Sequence, residues 1–309
     1  MKAKELIEKF GFQIEEEPVS IYPFSPVYRV KGMESDFIVK KTQFPIDKAD
    51  RLMNYTKSLK ERGIDVVVPS ALEAQNPITI DGATYVVYPF IAGHPYSGRD
   101  YEIKDAGRLL GKIHSFSPLT NEIGLDPYGV YDFNEDEVID SFQNIVVNAA
   151  PFGLDIPATM EARLLQAVHQ QELLKMSGLP HVATPHDYKA NNLIYTPQPY
   201  LIDPDNAAWV PRIFDLALVL LLFHNELATA PDQPFTVKQW ELFLEGYRES
   251  VGLTQQEKDY WTNAVEHVFL DEVMWLMADV AEDWQNPEQR NLFEQLIHIL
   301  GNLEEYRVS

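Results

Sequence analysis

Two acidic stretches hold the side chains best suited to chemistry, HDYKANN at 186–192 and LIDPDNA at 201–207. In the first, Asp187 precedes Asn192 by five positions, with Lys189 between them. Such a loop can serve phosphoryl transfer. A carboxylate orients an attacking hydroxyl and takes its proton, an ammonium neutralises the moving group, and a carboxamide oxygen ligates magnesium. In the second stretch, Asp203 follows the apolar run Tyr200–Leu201–Ile202 directly. A carboxylate at the exit of a buried strand can hold magnesium, a hard cation that prefers oxygen, and Asp205 can share that role. Alone, the first stretch also reads as a polar loop with an Asx turn, and the second as a turn, because Asp-Pro and Asp-Asn are turn formers. Their order says more: loop, strand, short turn, strand and carboxylate, followed by Phe214–Asp215–Leu216–Ala217 opening an apolar helix.

The elements that must position these residues divide in two. Residues 1–91 carry strand signals: Ile21–Lys31 as two short strands around a Pro/Ser turn, Phe37–Lys41, and Thr84–Ile91. An amphipathic helix spans Asp47–Arg62, with Leu52, Tyr55 and Leu59 on one face and Gly63 as its stop. AGHPYSG then breaks the pattern. Residues 92–309 turn mainly helical: Glu102–Phe116, then 159–176, 237–250, 255–283 and 288–305, with short strands at Asn192–Tyr195 and Tyr200–Ile202. The expected fold is α+β, a small β-rich lobe joined at about 88–95 to a larger helical lobe.

Composition excludes several classes. The chain has 309 residues and a formal charge of −22, with no basic run, so neither nucleic acid nor an anionic membrane is an expected partner. The acidic excess reads first as ordinary solubilising charge, and it also suits a cationic substrate. The longest apolar run, Leu216 to Phe223, is too short to cross a bilayer. MKAKELIEKF is a charged helical start rather than an apolar leader, and cysteine is absent; both fit a cytoplasmic protein. Gly107–Lys112 holds a G…GK pair without P-loop spacing. No HExxH or Gly-x-Ser-x-Gly pattern occurs.

PHDYKANN, LIDPDNA and FDLA, in that order, resemble the loop (HGDxxxxN), the IDW or IDP segment and the YDLA segment of the aminoglycoside phosphotransferase and choline kinase family, which shares its fold with eukaryotic protein kinases. The resemblance implies Asp187 as catalytic base, Asn192 and Asp203 as magnesium ligands, Asp215 as a structural buttress of the loop, and Lys189 beside the γ-phosphate. Upstream, Phe37–Ile38–Val39–Lys40 resembles the strand ending in the lysine that holds the α- and β-phosphates. Lys41 points to the opposite face, and Lys40 is preferred. Val86–Ile91 resembles the strand leading into the hinge. With Tyr88 at the back of the adenine pocket, the Pro89 carbonyl and the Ile91 N–H would meet the adenine edge. Ala106–His114 is similar to the family's helix ending in LxxLH.

The chain departs from that pattern at three places. Pro185 stands where the loop histidine is usual, and His186 adjoins Asp187 where glycine often sits, which leaves His186 open between a packing role and a phosphate-side contact. The helix 47–62 holds no Glu before Glu61 to pair with the strand lysine, and Asp50 is the nearest candidate. Tyr22–Pro23–Phe24–Ser25–Pro26 occupies the place of a glycine-rich phosphate loop, where Ser25 or backbone N–H groups can reach phosphate.

The acceptor site of such kinases lies between the loop and the C-terminal helices. Asp271, Trp275, Asp279 and Glu282 recur on one face of the expected helix, with Glu272 beside them, and carboxylates with an indole suit a polyamine. The same residues read equally as a solvated helix surface. Phe223–Glu226 can also reach the pocket. The expected activity is magnesium-dependent transfer of the γ-phosphoryl group of ATP or GTP to a hydroxyl of a small cationic molecule, such as an aminoglycoside-type antibiotic, by a monomer or homodimer. The alternatives are a metabolic kinase for choline, a sugar or homoserine, and a catalytically silent binding protein of the same fold.

Overall fold

A computed structural model describes residues 2–22, 25–42 and 44–308 of the chain. Helix α1 (Ala3–Glu8) precedes strands β1 (Val27–Lys31) and β2 (Asp36–Thr42), helix α2 (Ile46–Glu61), and strands β3 (Ile78–Ile80) and β4 (Ala83–Pro89). The strands form an antiparallel sheet in the order β1-β2-β4-β3. Register decides what each face does. Val39 lies opposite Val87, and both bury with Val30 against Leu6, Ile7 and Phe10 of the N-terminal segment. Ile38 lies opposite Tyr88 and Lys40 opposite Val86, so these four share the other face. The two strands expected over 21–31 reduce to one. Residues 21 and 22 are bends, and the Ser20 hydroxyl, bonding Tyr22 O and Val27 N, takes hydrogen bonds that a strand pair would use. Pro23 and Phe24 of that turn lie outside the described residues.

Strand β5 (His94–Pro95) follows, then helices α3 (Asp100–Ser115), α4 (Glu135–Ala149) and α5 (Ala158–Met176). The sequence reading assigned no helix to α4, although Asn134 caps it and Val138, Phe142 and Ile145 line its buried face. Strand β6 (His181–Thr184) pairs with β9 (Ala208–Pro211), and β7 (Leu193–Tyr195) with β8 (Pro199–Leu201). Helices α6 (Arg212–Leu222), α7 (Val237–Arg248), α8 (Gln255–Asp259), α9 (Trp261–Val268), α10 (Met274–Asp279) and α11 (Pro287–Gly301) complete the chain. Helices α3 and α7 cross closely: a Cβ at Gly107 would overlap the Phe243 carbonyl, and one at Gly246 the Lys104 carbonyl. The G…GK glycine thus serves helix packing.

One feature differs from the pattern read in the sequence. The helix expected over 255–283 is broken. A π turn, Phe269–Val273, separates α9 from α10, and α10 ends at Asp279 before a 3-10 turn, Ala281–Gln285. The stripe of Leu52, Tyr55 and Leu59 on α2 is buried in the large helical core, and the Tyr55 hydroxyl donates to the Ala183 carbonyl of β6.

Candidate active site

The β7–β8 hairpin places the two acidic stretches side by side. Leu193 lies opposite Leu201, and Ile202 N donates to Asn192 O at 2.9 Å, so Asn192 and Asp203 emerge at the same end of the hairpin. β5 pairs with β7, tying the segment after the sheet to this hairpin. Ile38, Val86, Tyr88, Ile91 and Val67 pack with Tyr200 and Ile202 in an apolar cluster between that face of the sheet and the hairpin. Pro89 ends β4. Ser25, just ahead of β1, accepts from the Ser20 hydroxyl through its carbonyl.

Lys40 crosses from the sheet to the turn after β8. Its Nζ lies 2.6 Å from Asp203 Oδ1 and 3.0 Å from Asp205 Oδ2. Burial alone would drive the proton off Lys40, but Asp205 and Asp203 hold it on and raise the ammonium above its usual range. Asp205 N bonds Asp203 Oδ1 at 3.4 Å, so the segment is also the turn its composition suggested.

The loop itself turns on strained backbone. His186 and Asp187 have φ of 45° and 52°, left-handed values that favour glycine. Lys189 Nζ pairs with Asp187 Oδ1 at 2.7 Å, Asn206 Nδ2 donates to Asp187 Oδ2 at 3.3 Å, and Asn192 Nδ2 donates to the Asp187 carbonyl at 3.0 Å. Burial disfavours the Lys189 charge, yet Asp187, with Glu226 and Glu272 farther off, raises it net. Beneath the loop, fully buried Asp215 accepts from Thr184 and His114, each at 3.0 Å. Burial opposes its charge, but the bonds from His114 and His186 hold it well below the usual carboxylate range. His186 reaches Asp215 Oδ1 at 3.4 Å and lies 3.8 Å from Glu272 Oε1. It bridges the buried carboxylate of Asp215 and Glu272 of the π turn.

The donor set suits magnesium. Bonding through Nδ2 leaves the Asn192 carboxamide oxygen to act as a ligand. Asp203 keeps Oδ2 without a protein partner among the described residues, with its side chain 38% exposed. No three His, Cys, Asp or Glu side chains among the described residues form a metal cage. A magnesium carried on phosphates needs only one or two protein carboxylates.

Of the residues expected at the acceptor site, Asp271 and Glu272 stand at the loop. The π turn carries both: Asp271 Oδ2 accepts from the Tyr128 hydroxyl at 2.8 Å, and Glu272 faces His186. The expected single face of Asp271, Trp275, Asp279 and Glu282 does not form, because the π turn shifts the register and the helix ends before Glu282. Trp275 is half-exposed, Asp279 and Glu282 are exposed, and Trp284 is a core residue bonded to the Met277 carbonyl. The sequence reading did not single out Asn206, which bonds Asp187, or the Tyr22 phenol. Burial, then Glu226 and Asp203, pushes that phenol up. Asn206, three residues past Asp203, had no spacing signal; only the folded turn brings it to Asp187.

The chain matches the phosphotransferase enzyme family (APH) over residues 24–250. No curated protein matches it in sequence. Among solved structures it is similar to spectinomycin phosphotransferase APH(9)-Ia in complex with ADP and spectinomycin, at 16% identity and a TM-score of 0.65, covering 99% of both chains. A microcompartment-associated aminopropanol kinase superposes with a TM-score of 0.69 at 13% identity, again over 99% of each chain. Choline kinase LicA from Streptococcus pneumoniae gives 0.56 at 17% identity, over 96% of this chain and 98% of that one. These likenesses carry the bilobal kinase-like α+β fold, and with the family match they establish that this chain belongs to the APH phosphotransferase family.

Proposed function

We propose that the protein transfers the γ-phosphoryl group of ATP or GTP to a hydroxyl of a small cationic molecule. The observation that carries this reading is the convergence of Lys40, Asp187, Lys189, Asn192 and Asp203 at one end of the β7–β8 hairpin. Asp187 orients the hydroxyl and takes its proton as the phosphorus–oxygen bond forms; Lys189 offsets charge on the moving group; Lys40 meets the α- and β-phosphates. The apolar cluster of Ile38, Val86, Ile91 and Ile202 offers the surface against which the base would lie. Magnesium, held by Asn192 and Asp203, supplies charge neutralisation on the phosphate oxygens.

Asp271 and Glu272 beside the loop support a cationic acceptor, since two carboxylates at a half-buried wall favour an ammonium. Aminoglycoside-type and amino-alcohol acceptors both fit, and the ammonium-bearing substrates named for the neighbouring choline and aminopropanol kinases support the second class.

Nucleotide turnover coupled to a panel of aminoglycosides, other antibiotics, choline, amino alcohols and neutral sugars tests the proposal. Turnover with at least one cationic acceptor, abolished in Asp203→Ala, is expected. Turnover confined to neutral sugars would overturn the acceptor class, and substantial activity in Asp203→Ala would overturn the metal assignment.

A further inference from the structure

We infer that Asp205 is the residue that positions Lys40, in place of a helix carboxylate, and that it is not a metal ligand. The inference rests on the phosphotransfer reading above.

Both Asp205 oxygens are already engaged. Oδ2 lies 3.0 Å from Lys40 Nζ, and Oδ1 accepts from the Tyr88 hydroxyl at 3.4 Å. Its side chain is 12% exposed, against 38% for Asp203, so Asp205 faces the protein and Asp203 the cleft. A carboxylate so buried needs a cation, and the ammonium of Lys40 is the one that meets it. Tyr88 and Lys40 lie on the same face of the sheet, from β4 and β2, so Asp205 is held by two strands at once.

Helix α2 has nothing to offer Lys40. Its acidic residues Asp47, Asp50 and Glu61 are exposed. Its buried face of Leu52, Tyr55 and Leu59 is committed to the large core, and Tyr55 is bonded to Ala183. Rotating an acidic residue toward Lys40 would strip that face from its packing. The lysine is therefore anchored across the cleft, to the turn that also carries Asp203. Asp203 Oδ1 shares Lys40 with Asp205, whereas its Oδ2 has no protein partner among the described residues. With a cation held at Asp203, Lys40 would keep its pair with Asp205 and have its remaining donors to offer phosphate.

A double-mutant cycle separates this role from metal ligation, with two readouts: ADP affinity in EDTA by isothermal titration, and the magnesium concentration for half-maximal turnover. In the wild-type background, Asp205→Asn is expected to weaken ADP about tenfold, the loss of one charge-assisted contact. In a Lys40→Met background the same change should move ADP affinity by less than about twofold, because a residue acting only through Lys40 has nothing left to act on. The magnesium requirement should stay at the wild-type value in Asp205→Asn and rise in Asp203→Asn. Tyr88→Phe, which keeps the ring and removes one tether, should weaken ADP by a smaller factor, and it carries the test should Asp205→Asn fail to fold. Asp50→Ala should change nothing.

Equal effects of Asp205→Asn in both backgrounds would overturn the inference. So would a raised magnesium requirement in that variant, or a loss in Asp50→Ala as large as in Asp205→Asn. A wild-type chain that binds no ADP overturns the nucleotide reading itself, whereas unchanged binding in both Asp205→Asn and Tyr88→Phe overturns only this assignment.

Discussion

His114 and Asp215 meet 3.0 Å apart with neither side chain exposed to solvent. The imidazole bonds the carboxylate through Nε2 and the Tyr247 hydroxyl through Nδ1, so one histidine at the end of α3 joins α6, which carries Asp215, to α7. Thr184 and His186 complete the set around Asp215 and connect it to the loop that carries Asp187.

Asp215→Ala should therefore cost stability before it costs chemistry. It leaves buried donors from His114 and Thr184 unpaired, a loss of about 3–5 kcal/mol in urea unfolding, and Asp215→Asn should cost less. The folded carboxyl is held below its usual range, so its contribution is full above the ordinary carboxylate pKa and is lost as pH falls through that value toward the folded one. Acid unfolding of Asp215→Asn should accordingly be shallower than that of the wild type.

Asp187→Asn keeps the size of the side chain and the bond from Asn206 but removes the base. Single-turnover kinetics should show kcat lowered by about 10²–10⁴-fold. ADP affinity should stay within about twofold, since the role proposed for Asp187 is on the acceptor rather than the nucleotide.

Glu272→Gln removes the carboxylate 3.8 Å from His186. For a cationic acceptor, KM should rise about tenfold while that for ATP holds, and the effect should shrink as ionic strength increases. An equal loss with a neutral acceptor would assign Glu272 to loop geometry instead.

His224 gives a pH signature away from the cleft. It is buried, with Nδ1 on the Gln233 carbonyl and Nε2 on the Tyr96 hydroxyl, and burial lowers its pKa from 6.5 to about 4. The unfolded chain then binds the extra proton between these values. Stability is full above about 6.5 and falls as pH drops toward 4, by up to about 3 kcal/mol for this group. Glu266, raised to about 7 by burial, runs the other way between its ordinary value and 7. The readout is therefore the difference in melting temperature between wild type and His224→Gln across that window, which should narrow as pH falls.

Much of the site was legible in the linear order. Asp187, Lys189, Asn192 and Asp203 sit within 17 residues, where loop and hairpin spacing alone bring them near one another. The alternation of Ile38–Val39–Lys40 likewise puts the lysine on the face opposite the small core, because side chains alternate along a strand. Those are local constraints, and local constraints are written in spacing. Four features were not. The break of the helix at 269–273 has no signal in the apolar spacing, and it cancels an amphipathic face that periodicity alone supported. α2 turns its apolar stripe to the large core, whereas a stripe says only that some core exists. Asp205 faces Lys40 and Tyr88 across 165 and 117 residues of chain respectively, and His186 adopts a left-handed conformation that its residue type disfavours. The sequence by itself determined which side chains can do the chemistry and the order in which the chain presents them. Tertiary structure decided which carboxylate meets which cation, because ion pairing depends on burial and on distance across the cleft, and neither is set by separation along the chain.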